Sequence, residues 1–139
     1  MGNLTFTMIK PDAVRAHQEA AILKHLADAG FRIVALRMHR MTREETQRFY
    51  AVHEGKPFFE PLVEFMTSGP VVAAVLEKEN AVPELRKTVG ATDPAEAAEG
   101  TVRRLYGMSK QQTAIHASDS DENARYEWGI HFADSDLFV

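Results

Sequence analysis

Residues 116–120 bring one imidazole, two hydroxyls and one carboxylate together within a single short segment. A neutral imidazole is a competent nucleophile near pH 7, because its ordinary pKa is about 6.5. Ser118, Asp119 and Ser120 are all residue types that cap helices. The local pattern therefore fits two interpretations of His116: a reactive histidine, or a structural histidine that ends a strand and bonds to the backbone.

Several other catalytic patterns are missing from the sequence. The eight glycines never lie two residues apart, so there is no G-x-G-x-x-G loop, and Gly55-Lys56 lacks the flanking residues of a P-loop. The six histidines include no pair at i,i+3 or i,i+4 spacing, which disfavours a helical zinc site. The absence of cysteine excludes thiol catalysis, thiolate metal ligands and disulfide bonds.

Strands that could position these groups are predicted from runs of apolar and β-branched residues. They are residues 5–9, 31–38, 71–76 and 113–116. Helical periodicity and capping residues predict the helices between them. These are residues 20–27, residues 42–53 opened by a Thr42/Glu45 capping box, a short stretch around 62–66, residues 80–89, and a last helix from 118–120 to about 132. Residues 91–113 show little periodicity and are predicted to be irregular.

The order of these elements, β-α-β-α-β-α-β-α, reduces to βαββαβ. This order predicts an α+β, ferredoxin-like sandwich in which helices cover one face of a four-stranded antiparallel sheet. The sequence contains no internal repeat, low-complexity tract or linker. We therefore expect residues 1–139 to form one domain.

The composition narrows the function classes. Hydrophobic residues make up 45% and charged residues 26% of the chain, which argues against a disordered or rod-like protein. The formal net charge of −4 argues against a nucleic-acid binder. No apolar stretch approaches the ~18 residues that a membrane span needs. Together with the absence of cysteine, this predicts a cytoplasmic protein that does not bind membranes.

Several blocks of the sequence resemble, in the same order, the motifs of nucleoside diphosphate kinases. Residues 116–120, H-A-S-D-S, resemble the H-G-S-D-S active-site signature of that family. Residues 7–14 resemble its N-terminal I-K-P-D block. Residues 90–95 and 100–103 resemble its G-x-T-[ND]-P and G-T-[IL]-R blocks. The resemblance runs from about residue 5 to residue 132 and is specific because separate motifs occur in the right order.

This resemblance implies an enzyme that transfers the γ-phosphoryl group of ATP or another nucleoside triphosphate to a nucleoside diphosphate. It implies that His116 becomes a phosphohistidine in a ping-pong reaction that maintains nucleotide pools. Glu127 matches the carboxylate that orients the ring, and Ser118 matches a hydroxyl that bonds to Glu127. Tyr50 matches a hydroxyl near the histidine, and Lys10 matches a catalytic cation.

The resemblance also implies a nucleotide site and its metal. The positions that match phosphate-contacting residues are Lys10, Arg86, Thr92 and Arg103. Phe58 and Leu62 match a pair that sandwiches the base, which would hold any base by its π-face. Mg²⁺ is expected to arrive on the nucleotide phosphates, because the sequence offers no dedicated carboxylate cage.

Three positions depart from the family pattern. Thr113 stands where an asparagine usually holds the ribose 3′-hydroxyl, which predicts a weaker sugar contact without loss of activity. Leu105 replaces a usual acidic residue and puts the support of its loop in doubt. Ala117 replaces the glycine after the histidine, and we expect a negative φ there because alanine disfavours a positive one.

Two other function classes stay open. The first is a ferredoxin-like nucleotide-binding or regulatory module that has lost catalysis, although a binder has no need of the histidine nucleophile. The second is a single-stranded nucleic-acid binder on the same fold, which the acidic charge balance opposes. For the enzyme, the resemblance further implies a homo-oligomer, either a tetramer or a hexamer built from a common dimer.

Overall fold

Four strands form one antiparallel sheet at the centre of the protein. The computed structural model describes residues 2–139. The strands are β1 (Leu4–Ile9), β2 (Arg32–His39), β3 (Val71–Glu77) and β4 (Ile115–Ala117), and they lie in the order β2-β3-β1-β4. Every pairing is antiparallel. The predicted ferredoxin-like α+β fold is therefore confirmed, with β3 and β1 in the middle of the sheet.

Seven α-helices connect and follow the strands within residues 2–139. They are α1 (Pro11–Arg15), α2 (Glu19–Asp28), α3 (Arg43–Phe49), α4 (Phe59–Met66), α5 (Ala81–Val89), α6 (Val102–Tyr106) and α7 (Asp121–His131). Two 3₁₀ turns, Ala51–His53 and Asp134–Asp136, complete the described elements. The stretch 91–113 is not entirely irregular, because it contains the short helix α6. No helix within residues 2–139 has the length and apolar character to cross a bilayer.

Helices cover both faces of the sheet, so the prediction that they cover one face is wrong. On β3, the side chains of Val72, Ala74 and Leu76 belong to one core cluster, and the alternate residues belong to the other. The first cluster packs against α2 and α5, and the second against α3, α4 and α7. The physical reason is the continuous apolar run of β3, which must be shielded from water on two sides.

Capping interactions set the helix boundaries on the second face. Thr42 and Glu45 form the predicted capping box at the start of α3, but this helix ends at Phe49 and a separate 3₁₀ turn follows. Ser120 is the N-cap of α7 and accepts a hydrogen bond from the Asn123 N–H. On the first face, Asn80 precedes α5 in a left-handed conformation, with φ of 55°, and its side chain makes no capping hydrogen bond.

Candidate active site

His116 is the second residue of β4, and its ring is held by groups that follow it in the chain. Its Nε2 atom lies 2.8 Å from Oε1 of Glu127 on α7. The buried hydroxyl of Ser118 donates a hydrogen bond to the same carboxylate oxygen. Because an ionised carboxylate only accepts, Nε2 carries the ring proton and Nδ1 keeps its lone pair. The side chains of His116 and Glu127 are 23% and 13% exposed, so the ring is shielded but still reachable from solvent.

Aromatic packing fixes the ring of His116 from the core side. The Phe49 ring, at the end of α3, lies 5.1 Å from it, and the Phe6 ring lies 6.2 Å from it. Both phenylalanines are buried in the second core cluster. The imidazole therefore packs on an apolar base formed by two buried rings.

Two arginines line a cleft of about 680 Å³ that also holds His116. Nη2 of Arg103 donates to the carbonyl of Ile115 at 2.9 Å. Nη1 of Arg86 donates to the carbonyl of Ala117 at 3.3 Å. The two guanidinium groups thus bond to the peptide carbonyls immediately before and after the histidine, and they line the same cleft as its ring.

Arg103 is the more deeply held of these two cations. Its Nη1 atom donates to the carbonyl of Gly90 at 3.0 Å. Burial, with a smaller contribution from the nearby charge of Arg86, lowers the pKa of Arg103 to about 10, so it stays cationic at neutral pH. Its Nε is buried and finds no hydrogen-bond partner within residues 2–139.

Gly90 shapes the turn that carries Thr92 to the cleft. Gly90 has a φ of 92°, and a Cβ at this position would lie 2.6 Å from the Thr101 side chain, so only glycine fits. Thr101 in turn caps α6 by accepting from the Arg104 N–H. Thr92, two residues after Gly90, is exposed and lines the cleft together with Arg86 and Arg103.

Lys10 lies at the end of β1 and is held by the chain before β4. It is 8% exposed, and its Nζ donates to the carbonyl of Gln111 at 2.8 Å and to the hydroxyl of Thr113 at 3.1 Å. Burial lowers the pKa of Lys10 to about 8, with the charge of Asp12 raising it and that of Arg103 lowering it. At neutral pH Lys10 is a largely protonated cation with a reduced hydration shell.

Tyr50 also lines the cleft, and it lies in the chain between α3 and the 3₁₀ turn. Its ring packs edge-on against Phe49 at 4.8 Å. Burial, with a further contribution from the charge of Glu127, raises the pKa of Tyr50, so its phenol stays protonated. Tyr50 is therefore a hydroxyl donor that faces the same space as His116.

Phe58 and Leu62 lie on α4, away from the lining of this cleft. Phe58 is the N-cap of α4 and is 48% exposed, and Leu62 follows one helical turn later and packs partly against the second core cluster. Residues four apart on a helix share a face. These two side chains therefore share one face of the helix, and the Phe58 ring lies 5.1 Å from the ring of His53, which lines the cleft.

The predicted site residues thus fall into two groups. Those that line the common cleft are Tyr50, Arg86, Thr92, Arg103, His116 and Glu127. Those that lie outside its lining are Lys10, Phe58, Leu62, Thr113 and Ser118. Of the second group, Ser118 bonds directly to a cleft residue, and Lys10 is bonded to Thr113.

Comparison with known proteins shows which protein family has this arrangement. A family model for nucleoside diphosphate kinases matches residues 3–137. The chain belongs to the nucleoside diphosphate kinase family. It is 49% identical to the nucleoside diphosphate kinase of Flavobacterium psychrophilum over 136 residues, which are 98% of each chain.

Solved structures of nucleoside diphosphate kinases have the same fold as this chain. The Aquifex aeolicus enzyme superposes with a TM-score of 0.94 at 45% identity, over 97% of this chain and 98% of that one. The Halobacterium salinarum enzyme, solved in complex with CDP, superposes with a TM-score of 0.94 at 38% identity, over 100% of this chain and 93% of that one. The chain is therefore a phosphotransferase that moves phosphate between nucleoside triphosphates and diphosphates, as its family does.

The three departures from the family pattern have different structural consequences. Ala117 lies in β4 and is not among the residues with positive φ, so the prediction of a negative φ is confirmed. Thr113 is 3% exposed and its hydroxyl accepts from Lys10, so its oxygen is already engaged. Leu105 is 54% exposed on α6, so it takes no part in the core.

Sequence reasoning missed two features of this nucleoside diphosphate kinase site. Tyr126 lines the cleft, and its hydroxyl donates to the carbonyl of Arg48 at 2.7 Å, which joins α7 to α3 across one end of the cleft. Asp12 accepts a hydrogen bond from the buried N–H of Ala114, just before β4. Nothing in the local sequence signals either bond, because each joins residues far apart in the chain.

Proposed function

We propose that His116 carries the phosphoryl group between two nucleotides in a ping-pong reaction. The observation that carries the proposal is the His116 ring, held by Glu127 through Nε2 and placed in a cleft with two arginines. A ring that donates from Nε2 has its nucleophilic lone pair on Nδ1. The inactive binding module is disfavoured, because that role does not need an oriented imidazole.

Each half-reaction exchanges one bond to phosphorus for another. The Nδ1 lone pair of His116 attacks the γ-phosphorus, the bond to the β,γ-bridging oxygen breaks, and that oxygen leaves on the nucleoside diphosphate. The ring becomes a cation whose Nε2–H remains bonded to Glu127, so the carboxylate offsets the new charge. A terminal phosphate oxygen of the second nucleotide then attacks the phosphorus and releases the neutral ring.

Side-chain cations take the place of a phosphate-binding loop. We assign Arg86 and Arg103 to the transferred phosphate and its neighbour, since guanidinium groups bind phosphate oxygens in a bidentate manner. Thr92 donates its hydroxyl to a phosphate oxygen from the same side of the cleft. Lys10 adds a buried positive charge beside Thr113. Phosphoryl transfer depends mainly on such positioning and charge stabilisation.

Ser118 and Tyr50 support the histidine in different ways. Ser118 acts through Glu127, because its hydroxyl donates to the carboxylate oxygen that also accepts from the ring. Tyr50 lines the cleft and supplies a protonated phenol to the space where the phosphate is transferred. We therefore assign Ser118 as a positioning residue and Tyr50 as a donor to substrate.

The base is proposed to bind outside the deep part of the cleft, against α4. The exposed Phe58 and the partly buried Leu62 would offer an apolar face to any base there. The relative from Halobacterium salinarum was solved with CDP. We assign Thr113 as a contact to the sugar, through the donor capacity that its hydroxyl keeps while it accepts from Lys10.

Mg²⁺ is proposed to enter as part of the nucleotide substrate. Within residues 2–139 no group of three or more acidic or histidine side chains is placed to hold a metal ion. Glu127, the least exposed carboxylate of the cleft described above, already accepts two hydrogen bonds. A cation that binds phosphate oxygens and water needs few protein ligands. Equilibrium dialysis with ⁢Mg²⁺ alone is therefore expected to give no tight binding, and nucleotide is expected to restore it.

Three further proposals concern the whole protein. We propose a single folding domain, which the family match over residues 3–137 supports, and a cytoplasmic location, where nucleotides are abundant.

We also propose a homo-oligomer, a tetramer or a hexamer built from a common dimer. The edge strand β2 supports this by exposing Leu36 and Met38, 52% and 56% respectively. Light scattering tests the oligomer, one cooperative unfolding transition tests the domain, and cell fractionation tests the location.

The central test of the proposal is transfer of a label from γ-labelled ATP to the protein. We expect an acid-labile, base-stable label that a nucleoside diphosphate removes, as a phosphohistidine intermediate requires. His116→Ala is expected to abolish labelling and turnover, whereas His17→Asn, which replaces an exposed histidine outside the cleft, is expected to keep both. A label that persists in His116→Ala would contradict the assignment.

A further inference from the structure

Ala114 has an unusual backbone conformation directly before β4. Its φ is 71°, in the left-handed region that residues other than glycine, asparagine and aspartate rarely adopt. The residue is fully buried in the first core cluster. A strained conformation inside a core persists only when surrounding contacts hold it in place.

The backbone N–H and the carbonyl of Ala114 are both hydrogen-bonded to residues near the start of the chain. Oδ2 of Asp12 accepts from the Ala114 N–H at 3.0 Å, and the N–H of Lys10 donates to the Ala114 carbonyl at 2.8 Å. Asp12 is itself 8% exposed, and its Oδ1 is buried without a hydrogen-bond partner within residues 2–139. A buried carboxylate oxygen in that state opposes folding, so stability alone does not explain an aspartate here.

Three contacts of the proposed site residues lie on either side of the turn at Ala114. Before it, the Thr113 hydroxyl accepts from Nζ of Lys10 at 3.1 Å. After it, the Ile115 carbonyl accepts from Arg103 at 2.9 Å, and His116 bonds to Glu127. A change of φ at Ala114 would separate the lysine contact from the arginine and histidine contacts.

We propose that Asp12 is a positioning residue for phosphoryl transfer: its carboxylate holds the left-handed turn at Ala114 and thereby aligns Lys10 with His116. The inference rests on the roles proposed above for Lys10 and His116. Asp12 touches neither the His116 ring nor the cleft lining, so it acts through the backbone of Ala114.

The same carboxylate has an electrostatic effect on Lys10. Several groups surround the Lys10 ammonium: the Gln111 carbonyl, the Thr113 hydroxyl, the charge of Arg103, and the Phe65 ring at 5.4 Å. Burial and Arg103 lower the pKa of Lys10, and Asp12 is the group that raises it toward its ordinary value. Removing the negative charge of Asp12 therefore lowers the pKa of Lys10 further, so that Lys10 loses its proton at a lower pH.

Two variants separate the charge of Asp12 from its hydrogen bond. Asp12→Asn keeps an oxygen that can accept from the Ala114 N–H, and removes the charge. Asp12→Ala removes both, and Asp12→Ala combined with Ala114→Gly supplies a residue that takes a positive φ without a Cβ penalty. The control is Asp28→Asn, an exposed aspartate at the end of α2. Turnover is measured with ATP and a nucleoside diphosphate as a function of pH, beside thermal unfolding.

The expected results are distinct for each variant. Asp12→Asn shifts the alkaline limb of the pH profile of kcat/KM to lower pH by about one unit. Asp12→Ala lowers kcat/KM by about 100-fold, the loss expected for a displacement of about 1 Å. In the double variant, Ala114→Gly raises kcat/KM about tenfold above that of Asp12→Ala alone. Asp28→Asn leaves both the rate and the pH profile unchanged.

The proposal is overturned if Asp12→Asn keeps the parental alkaline limb and Asp12→Ala keeps kcat/KM within twofold. It is also overturned if the loss in Asp12→Ala equals the fraction of unfolded protein and Ala114→Gly restores nothing. Should Asp12→Ala not fold, Asp12→Glu decides, because it keeps the charge and displaces the accepting oxygen; a kcat/KM within twofold of the parent would overturn the proposal. Labelling of the parent by γ-labelled ATP tests the proposed function independently, so a failure of this inference is distinguishable from a failure of that function.

Discussion

Nε2 of His116 lies 2.8 Å from Oε1 of Glu127, although the two residues are eleven positions apart. The bond joins the last strand to the last helix, and it determines which ring nitrogen keeps a lone pair. Ser118 adds a second donor to the same oxygen. The orientation of the imidazole thus depends on a carboxylate that accepts two hydrogen bonds at once.

Glu127→Gln tests this dependence. The amide keeps an oxygen that can accept one bond, but it loses the charge that offsets a cationic ring. A hydrogen bond to a charged group contributes about 1.5–3 kcal/mol, so we expect kcat/KM to fall by about 10- to 100-fold. Steady-state turnover measures the effect. Glu64→Gln, an exposed position on α4, is the control, and equal activity of both variants would remove Glu127 from the mechanism.

Gly90→Ala and Gly100→Ala form a matched pair that tests the turn before Thr92. Both glycines have positive φ, 92° and 84°, so each substitution introduces backbone strain of about 1 kcal/mol or more. A Cβ at Gly90 would also meet Thr101 at 2.6 Å, whereas a Cβ at Gly100 has no described neighbour within 4 Å.

We therefore expect Gly90→Ala to lower the free energy of unfolding more than Gly100→Ala, by a further ~1–3 kcal/mol for overpacking. Because the turn carries Thr92, Gly90→Ala should also raise KM for nucleotides. Denaturant unfolding and steady-state kinetics measure the two effects. An equal loss of stability in both variants would show that the contact with Thr101 relaxes freely.

The surroundings of Thr113 predict that its hydroxyl makes only a weak hydrogen bond to the ribose of the nucleotide. Its hydroxyl is buried and already accepts from Lys10, so at most one neutral hydrogen bond to a ribose hydroxyl is at stake, about 0.5–1.5 kcal/mol. We expect a 3′-deoxy nucleoside diphosphate to bind up to about tenfold more weakly than its ribose counterpart. In Thr113→Asn the ratio of the two dissociation constants should grow. The same ratio in both proteins would refute the weak contact.

His131 makes the stability of the protein sensitive to acid. It is 3% exposed, its Nδ1 shares a 2.8 Å hydrogen bond with Nε2 of His39, and its ring stacks on Phe6 at 5.1 Å. Burial, with smaller effects from the charges of His39 and Arg37, lowers the pKa of His131 to about 3. Between pH 6.5 and pH 3 the unfolded chain therefore binds a proton at this residue that the folded protein does not.

The sign of this effect follows from linkage. The folded state loses stability as pH falls from about 6.5 towards 3, by an amount on the order of a few kcal/mol, and this histidine has no such effect above pH 6.5. His131→Phe should flatten the dependence of the unfolding free energy on pH between 6.5 and 4.5. His17→Asn, at an exposed histidine, should keep the parental slope. A parental slope in His131→Phe would place the acid sensitivity elsewhere.

Local sequence patterns predicted the elements of this fold better than the contacts between them. The apolar run of β3 and the capping box of Thr42 and Glu45 depend on neighbours in the chain, and both were found. Coverage of both sheet faces was missed, because periodicity does not show where a helix docks. The short helices α1 and α6 were missed because five residues carry too little periodicity.

The same difference between local sequence patterns and contacts of distant residues holds for the candidate site. Motif resemblance pointed to His116 and Arg103 through compact blocks, and the structure places both in one cleft. It did not reveal the left-handed Ala114 or its bond to Asp12, because alanine carries no signal for a positive φ. The N–H of Ala114 donates to Asp12 across 102 positions of the chain. The roles proposed for the individual site residues stay predictions until the variants above are measured.

The pairing of β1 has a consequence for how the enzyme matures during synthesis. This first strand finds its neighbours in Val71–Glu77 and Ile115–Ala117, so it emerges from the ribosome long before either partner exists. Such distant pairing makes folding slow and leaves the early chain exposed to aggregation. A nascent chain stalled before α7 carries Lys10 but lacks Glu127, so under the roles proposed above we expect it to transfer no phosphate.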